Sequence, residues 1–316
     1  MNVPPSILCP VDFSDASRGA LRYAAAVAGH FGTRLIVMTV EDALLTEAMA
    51  LSSGAAWKAE DTVAELTTFA TKTFGRELNL GVALEYEVAV GKPAEEILRV
   101  ARERSCDFIV ISTHGRTGMR KLFFGSTTER VLRETTRPVL VTPPTDPGPI
   151  RLEDAKAVLR RILVPVDLSP ATAQQVRVAE GLAEALGVPL ILTHIVEPLR
   201  SRFANRLHLH GLEADRRAQA EDALNDVVAK ISPGVQVEAL VPYGDPAEEI
   251  ANLVRDRQVG IVVMGLHGSP LLGPRMGSVT YRVLCLVPAI LLALPPQPAA
   301  THHANSSPKG QMAPTK

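Results

Sequence analysis

Ile7-Leu8-Cys9-Pro10-Val11-Asp12-Phe13-Ser14 is the stretch on which the reading of this chain turns, because it returns as Ile162-Leu163-Val164-Pro165-Val166-Asp167-Leu168-Ser169. In each copy a short apolar run without polar alternation leads into Pro-Val-Asp and a serine. Such a run suits a strand buried on both faces of a parallel sheet. Two more stretches repeat in the same order. Gly91-Lys92-Pro93-Ala94-Glu95-Glu96-Ile97 returns as Gly244-Asp245-Pro246-Ala247-Glu248-Glu249-Ile250. His114-Gly115 with Gly125-Ser126 returns as His267-Gly268 with Gly277-Ser278. The offset stays near one domain length, which makes the chain a tandem of two α/β domains. The first is expected over residues 1–146 and the second over 158–295. Residues 296–316, rich in Pro, Ala, Ser and Thr, cannot bury a core and are expected to be a disordered tail.

Outward from the first strand, the same alternation continues. Ser14 can cap a helix whose apolar face is Leu21, Ala24, Ala25, Val27, Ala28 and Phe31, with Gly32 in the position that closes helices. Residues 35–40 form a second strand, and a long helix covers about 58–74. Leu84, Tyr86, Val88 and Val90 alternate with polar residues, the pattern of an edge strand. Pro93 starts a helix that runs to about 104. Residues 108–111 and 139–141 are the fourth and fifth strands. In the second half the strands fall near 162–166, 190–195, 235–241, 261–264 and 289–294. Strands alternating with helices imply right-handed crossovers and a parallel sheet.

Composition bounds the function. With 33 basic and 34 acidic residues the formal net charge is -1. No basic field therefore invites nucleic acid or an anionic membrane. Met1 begins no apolar leader, and the apolar run 284–294 is broken by Pro288 and falls short of the roughly 20 residues of a membrane span. The expectation is a cytoplasmic protein. Cys9, Cys106 and Cys285 lack metal-ligand spacing; Cys9 and Cys285 lie in or beside strand-like runs and read as small buried residues of a reducing compartment. His302 and His303 belong to the tail, and His208 and His210 to an exposed loop or helix entry.

The segment after the fourth strand carries the chemistry. It reads Ser112-Thr113-His114-Gly115-Arg116-Thr117-Gly118-Met119-Arg120-Lys121-Leu122-Phe123-Phe124-Gly125-Ser126-Thr127-Thr128-Glu129. Glycines let backbone approach a ligand and adopt φ values that other residues avoid. Ser126 opens a helix, and Ser-Thr-Thr-Glu fits a capping box. A helix N-terminus offers N–H groups and partial positive charge to a phosphate, and Arg116, Arg120 and Lys121 add cations. The same residues also fit a plain Gly-rich turn. The pairs Glu95-Glu96 and Glu248-Glu249 lie in first helical turns, where acids favour the positive dipole end, so they read as structural. His114 and His267 have no nucleophile paired with them, and no catalytic residue or metal ligand set is assigned.

Taken together, Pro-Val-Asp-x-Ser, Gly-x-Pro-Ala-x-x-Ile and His-Gly…Gly-Ser resemble the universal stress protein family, over about residues 5–295 and in its two-domain form. The resemblance implies, for each half, a five-stranded parallel sheet of order 3-2-1-4-5 flanked by helices, the two halves related by a pseudo-two-fold axis. It implies ATP or another adenine nucleotide, with or without Mg²⁺, between the first and fourth strands. Carried over by position, Pro10, Val11 and Asp12 sit at the ribose and phosphate end. The backbones of Val40 and Ile195 face adenine, and Ile111 belongs to the first nucleotide-binding set. Ser112, His114, Gly115, Arg116, Gly118, Gly125, Ser126 and Thr127 line the phosphate loop. The second set is Pro165, Asp167, Ile195, Gly265, His267, Gly268, Gly277 and Ser278.

Each half departs from the family pattern of Gly, two residues, Gly, nine residues, Gly and Ser or Thr. Ser112 stands where the pattern has its first Gly, and its Cβ is expected to narrow the approach. The second half keeps that Gly as Gly265. However, only eight residues separate Gly268 from Gly277, and Tyr281 removes the capping box. The first half is thus the expected better site. The resemblance implies a nucleotide-dependent regulator rather than a rapid enzyme, with slow hydrolysis or self-phosphorylation at Ser126 or Thr127 left open. A nucleotide-free dimerisation or interaction module is the alternative. An adenylating enzyme would need Ser-Gly-Gly-x-Asp-Ser or His-x-Gly-His, which the chain lacks. The apolar fifth strands would be exposed edges if unpaired, and they are expected to pair with each other inside one chain, with a further homodimer possible.

Overall fold

A computed structural model of the chain describes residues 6–44, 46–47, 58–75, 82–113, 125–144, 159–199, 210–266 and 276–296. The first half runs β1 (Ser6–Pro10), α1 (Asp15–Phe31), β2 (Arg34–Glu41), α2 (Ala59–Phe74), β3 (Leu84–Val90), α3 (Pro93–Glu103), β4 (Phe108–Ser112), α4 (Ser126–Glu134) and β5 (Val139–Thr142). The second repeats it with β6 (Ile162–Pro165), α5 (Thr172–Leu186), β7 (Leu190–Thr193), α6 (His210–Val228), β8 (Val237–Leu240), α7 (Pro246–Asp256), β9 (Ile261–Gly265), α8 (Ser278–Leu286) and β10 (Ile290–Leu294).

All ten strands belong to one sheet of order β3-β2-β1-β4-β5-β10-β9-β6-β7-β8. Read from either outer edge inward, each half has the order 3-2-1-4-5. Strands within a half are parallel. The halves meet where β5 and β10 run antiparallel, with Val141 beside Leu291, Leu140 beside Leu292 and Val139 beside Ala293. The apolar fifth strands therefore cover each other's backbone edges.

Alternation along each strand sends residues to two separate cores. Ile7, Cys9, Leu140 and Val164 face a layer made by α1, α2, α5 and α6. Leu8, Val139, Val141 and Leu163 face a layer made by α3, α4, α7 and α8. The central strands are buried on both faces, whereas the outer β3 and β8 are only half-buried. Ser14 accepts the Ser17 N–H to start α1, and Gly32 ends it at φ 60. In the repeated Gly-x-Pro-Ala motif, Gly91 has φ 149, and a Cβ there would come 3.2 Å from Glu96 Cγ. The motif begins with Gly because the chain turns into α3 against that side chain.

Several sequence expectations are corrected. The N-cap of α4 is Gly125, not Ser126, and no side chain caps it. Ser126 and Glu129 are then the first and fourth helical residues, one place too late for a capping box. Gly125 and Gly277 lie at φ -60 and -58, values open to any residue. What these glycines contribute is the absence of a side chain. Cys285 is in helix α8, not beside a strand, because the apolar run 284–294 splits between the end of α8 and β10. In the second half, β7 stops at Thr193, so Ile195 lies beyond the strand.

Candidate functional site

Each half opens at one end between its first and fourth strands. β1 and β4 pair through Ile7–Phe108 and Leu8–Ile109, and β6 and β9 through Ile162–Ile261 and Leu163–Val262. Past those pairs the strand ends are not laddered together. The crossovers on either side leave in opposite directions, and that topological switch makes a crevice outside the carboxyl ends of the strands.

One wall is the turn after β1. Phe13 takes φ 62 and Leu168 φ 58, left-handed conformations that side chains other than glycine avoid. Such conformations cost about 1 kcal/mol or more and cluster at functional sites. The turn lets Asp12 Oδ1 accept the Ser14 N–H at 3.2 Å and the Ser14 hydroxyl at 2.5 Å. Asp167 Oδ1 likewise accepts the Ser169 N–H at 2.9 Å. Both aspartates thus fold the turn as well as facing the crevice. In the first half, the Phe13 ring is packed edge-on against Phe69 of α2 at 5.4 Å.

The other wall is the first turn of α4 or α8. The Gly125 N–H donates to the Thr113 carbonyl at 2.8 Å, and the Gly277 N–H to Leu266 at 2.9 Å. One turn on, Thr128 Oγ1 donates to the Ser112 carbonyl at 2.8 Å and Thr280 Oγ1 to that of Gly265 at 2.9 Å. These clamps hold the helix start against the end of the fourth strand. Among the described residues neither helix has a side-chain acceptor for its first N–H groups, which leaves an anion-binding end at the crevice wall.

The first crevice has a volume of about 330 Å³, the size of a small-molecule site. It brings together Pro10, Val11, Asp12, Val40, Ile111, Ser112, Gly125, Ser126 and Thr127, all named from sequence. It adds Ser17, Thr128, Pro93 and Ile97, which sequence reasoning missed. Pro93 and Ile97 were legible as the third and last residues of a repeated motif. The second crevice, of about 310 Å³, joins Pro165, Asp167, Ile195, Gly265, Gly277 and Ser278 with Gln175, His194, Glu197, Pro246 and Ile250. Ser112 in one and Gly265 in the other leave crevices of nearly equal volume, so the Ser112 Cβ does not close the first. His114, Gly115, Arg116, Gly118, His267 and Gly268 lie outside the described residues.

Other candidates have structural partners. Glu95 pairs with Arg130 of α4 at 2.9 Å. Chiefly through that hydrogen bond, its carboxyl is held below the usual range. Glu96 pairs with Arg99 at 2.7 Å. Burial pushes the Cys9 thiol well above its ordinary value, and Cys9 faces the core rather than the crevice, so a thiolate there is disfavoured.

Comparison with known proteins places both halves. The model of the universal stress protein family matches residues 5–143 and 159–293. Universal stress protein MJ0531 of Methanocaldococcus jannaschii is 30% identical over 149 residues, 44% of this chain and 82% of that protein. Universal stress protein MJ0577 of the same organism is 28% identical over 43% of this chain and 92% of its own length. Among solved structures, a universal stress protein from Archaeoglobus fulgidus aligns over 92% of this chain and 98% of its own, with TM-score 0.63 and 17% identity. A functionally unknown Pseudomonas aeruginosa protein, PA1789, aligns over 93% of each chain with TM-score 0.65 and 17% identity. The last two likenesses speak to the fold.

Proposed function

The chain belongs to the universal stress protein family, and from that premise we propose that it is a cytoplasmic stress-response protein that binds ATP or another adenine nucleotide and acts as a nucleotide-dependent regulator. The observation that carries this reading is the first crevice. Its lining combines polar groups, Asp12, Ser126 and Thr127 with the uncapped start of α4, and apolar side chains, Val40, Ile97 and Ile111. A nucleotide likewise combines a flat apolar base with an anionic phosphate chain.

In this reading the base lies against Val40 and Ile111 and the ribose beside Asp12. The phosphates meet the first-turn N–H groups of α4, with the hydroxyls of Ser126 and Thr127 as further donors. Mg²⁺ travelling with the phosphates would meet Asp12, the one carboxylate of the described lining. That carboxylate already holds the Ser14 turn, and no histidine or cysteine stands among the described lining residues. The reading is therefore one of binding rather than rapid turnover. Among the described residues no helix is long and apolar enough to cross a membrane.

Purification without added nucleotide, denaturation and anion-exchange chromatography of the supernatant test the proposal. Near-stoichiometric ATP from the wild type, lost in a Gly125→Val, Ser126→Ala variant, is the expected result. Absence of nucleotide from both, with no uptake of Mg-ATP at millimolar concentration, would sink it in favour of an interaction module that keeps the fold of a nucleotide binder.

A further inference from the structure

The two crevices occupy equivalent places, yet their linings differ at positions that choose a ligand. With a constant offset of 155 residues from Pro10 to Leu35, Gln175 stands where the first half has Ala20. Gln175 is 7% exposed and lines the second crevice. Its amide nitrogen donates to the Pro165 carbonyl at 2.6 Å and to the Val263 carbonyl at 2.7 Å. The amide therefore staples the strand ends of β6 and β9 where they have stopped pairing. Two carbonyl acceptors at one side-chain atom fix that atom as the NH₂ group, which settles the orientation of the amide. No described group donates to its Oε1. A buried side chain of the crevice lining thus carries an acceptor that has no donor among the described residues.

The charges differ as well. Among the described residues, the second lining holds two carboxylates, Asp167 and Glu197, and the first holds one, Asp12. Val279 replaces Thr127, so one phosphate-facing hydroxyl is absent. His194 adds a ring whose Nδ1 lies 2.9 Å from the Val166 carbonyl, which leaves only Nε2 for a ligand. Arg216 approaches from α6, but its guanidinium donates to the Glu197 backbone carbonyl at 3.1 Å, outside the crevice lining. A second carboxylate repels polyphosphate, while neutral donors and acceptors suit hydroxyl and amino groups.

We propose that the second crevice is a separate site for an uncharged purine nucleoside of the adenosine class, read by Gln175 Oε1 accepting from a ligand hydroxyl or amino group, while the first crevice takes the phosphorylated nucleotide. This rests on the nucleotide reading of the first crevice and adds a second, chemically distinct ligand to it. A tandem of this kind compares two ligands within one molecule, where two identical sites would sense one.

Equilibrium dialysis of the full chain with labelled adenosine, in saturating Mg-ATP, tests the assignment. The expected result is one equivalent of ATP and one of adenosine bound together. Gln175→Ala, which installs the residue the first half already has, should weaken adenosine about fivefold, the loss of one uncharged hydrogen bond, and leave ATP at one equivalent. Glu197→Gln leaves the Gln175 staple untouched and should strengthen AMP at the second crevice about threefold; it serves even if the Gln175 variant does not fold. Two equivalents of ATP, adenosine displaced by ATP, adenosine binding indifferent to Gln175→Ala, or AMP binding indifferent to Glu197→Gln would overturn the proposal. Adenosine bound through Gln175 with no ATP bound would leave it standing and remove the reading of the first crevice instead. ATP bound with no adenosine would do the reverse.

Discussion

At the scale of single residues, the helical wall of each crevice is held by a side chain that carries no charge. Thr128 and Thr280 hold the starts of α4 and α8 to the ends of β4 and β9 by one hydroxyl each. Thr128→Val keeps the shape and removes the hydroxyl that donates to the Ser112 carbonyl. A loss of about 1 kcal/mol in urea unfolding is expected, with a larger relative loss in ATP affinity because the N–H groups of α4 shift together. If stability falls and ATP affinity does not, the clamp is structural only. Both threonines stand three residues after the glycine of a Gly-Ser start, but a helical threonine does not announce from sequence that its hydroxyl reaches a strand carbonyl. Gln175 was unreadable as a site residue. A lone glutamine in a helix says nothing until its amide is seen between two strand ends.

At the scale of elements, the repeated motif before α3 and α7 is the same turn built with different caps. Asp245 caps α7 by accepting the Ala247 and Glu248 N–H groups at 3.1 and 3.2 Å, and it pairs with Arg282 of α8 at 2.7 Å. Lys92 offers α3 no such cap. The Arg282 hydrogen bond, ahead of the backbone donors, holds the Asp245 carboxyl below its ordinary value. A carboxyl depressed on folding stabilises the protein above its unfolded pKa of about 3.9, and that contribution fades as pH falls through the lower folded value. Asp245→Ala should therefore cost about 1 kcal/mol at pH 7. The gap between variant and wild type should be constant above about pH 5 and narrow as unfolding is repeated at pH values below about 4. A gap that does not narrow on acidification would mean that the loss lies in packing rather than charge.

At the scale of the whole molecule, the two halves share one sheet through β5 and β10. Each half alone would leave an apolar backbone edge in water. Residues 1–144 and 159–316 expressed as separate polypeptides in one cell should therefore co-purify as a one-to-one complex, checked by sedimentation. Leu140→Lys, placed opposite Leu292, should prevent it. If the fragments stay monomeric and soluble, the junction contributes little to the fold.

The sequence by itself determined that there are two domains, where their buried strands lie and which strand ends and helix starts line each crevice. Those features are local: apolar runs, a Gly-x-Pro-Ala turn and a repeat in fixed order leave the chain few alternatives. Residues 84–90 were even legible as an edge strand from their alternation, and the Gly32 helix end from its glycine. The tertiary structure alone decided what meets across distance. It moved the cap of α4 from Ser126 to Gly125 and carried Cys285 into a helix. It also set Gln175 between carbonyls 10 and 88 residues away. Such contacts are made by elements far apart in the chain, and no short-range pattern of side chains encodes which of them the sheet will bring together.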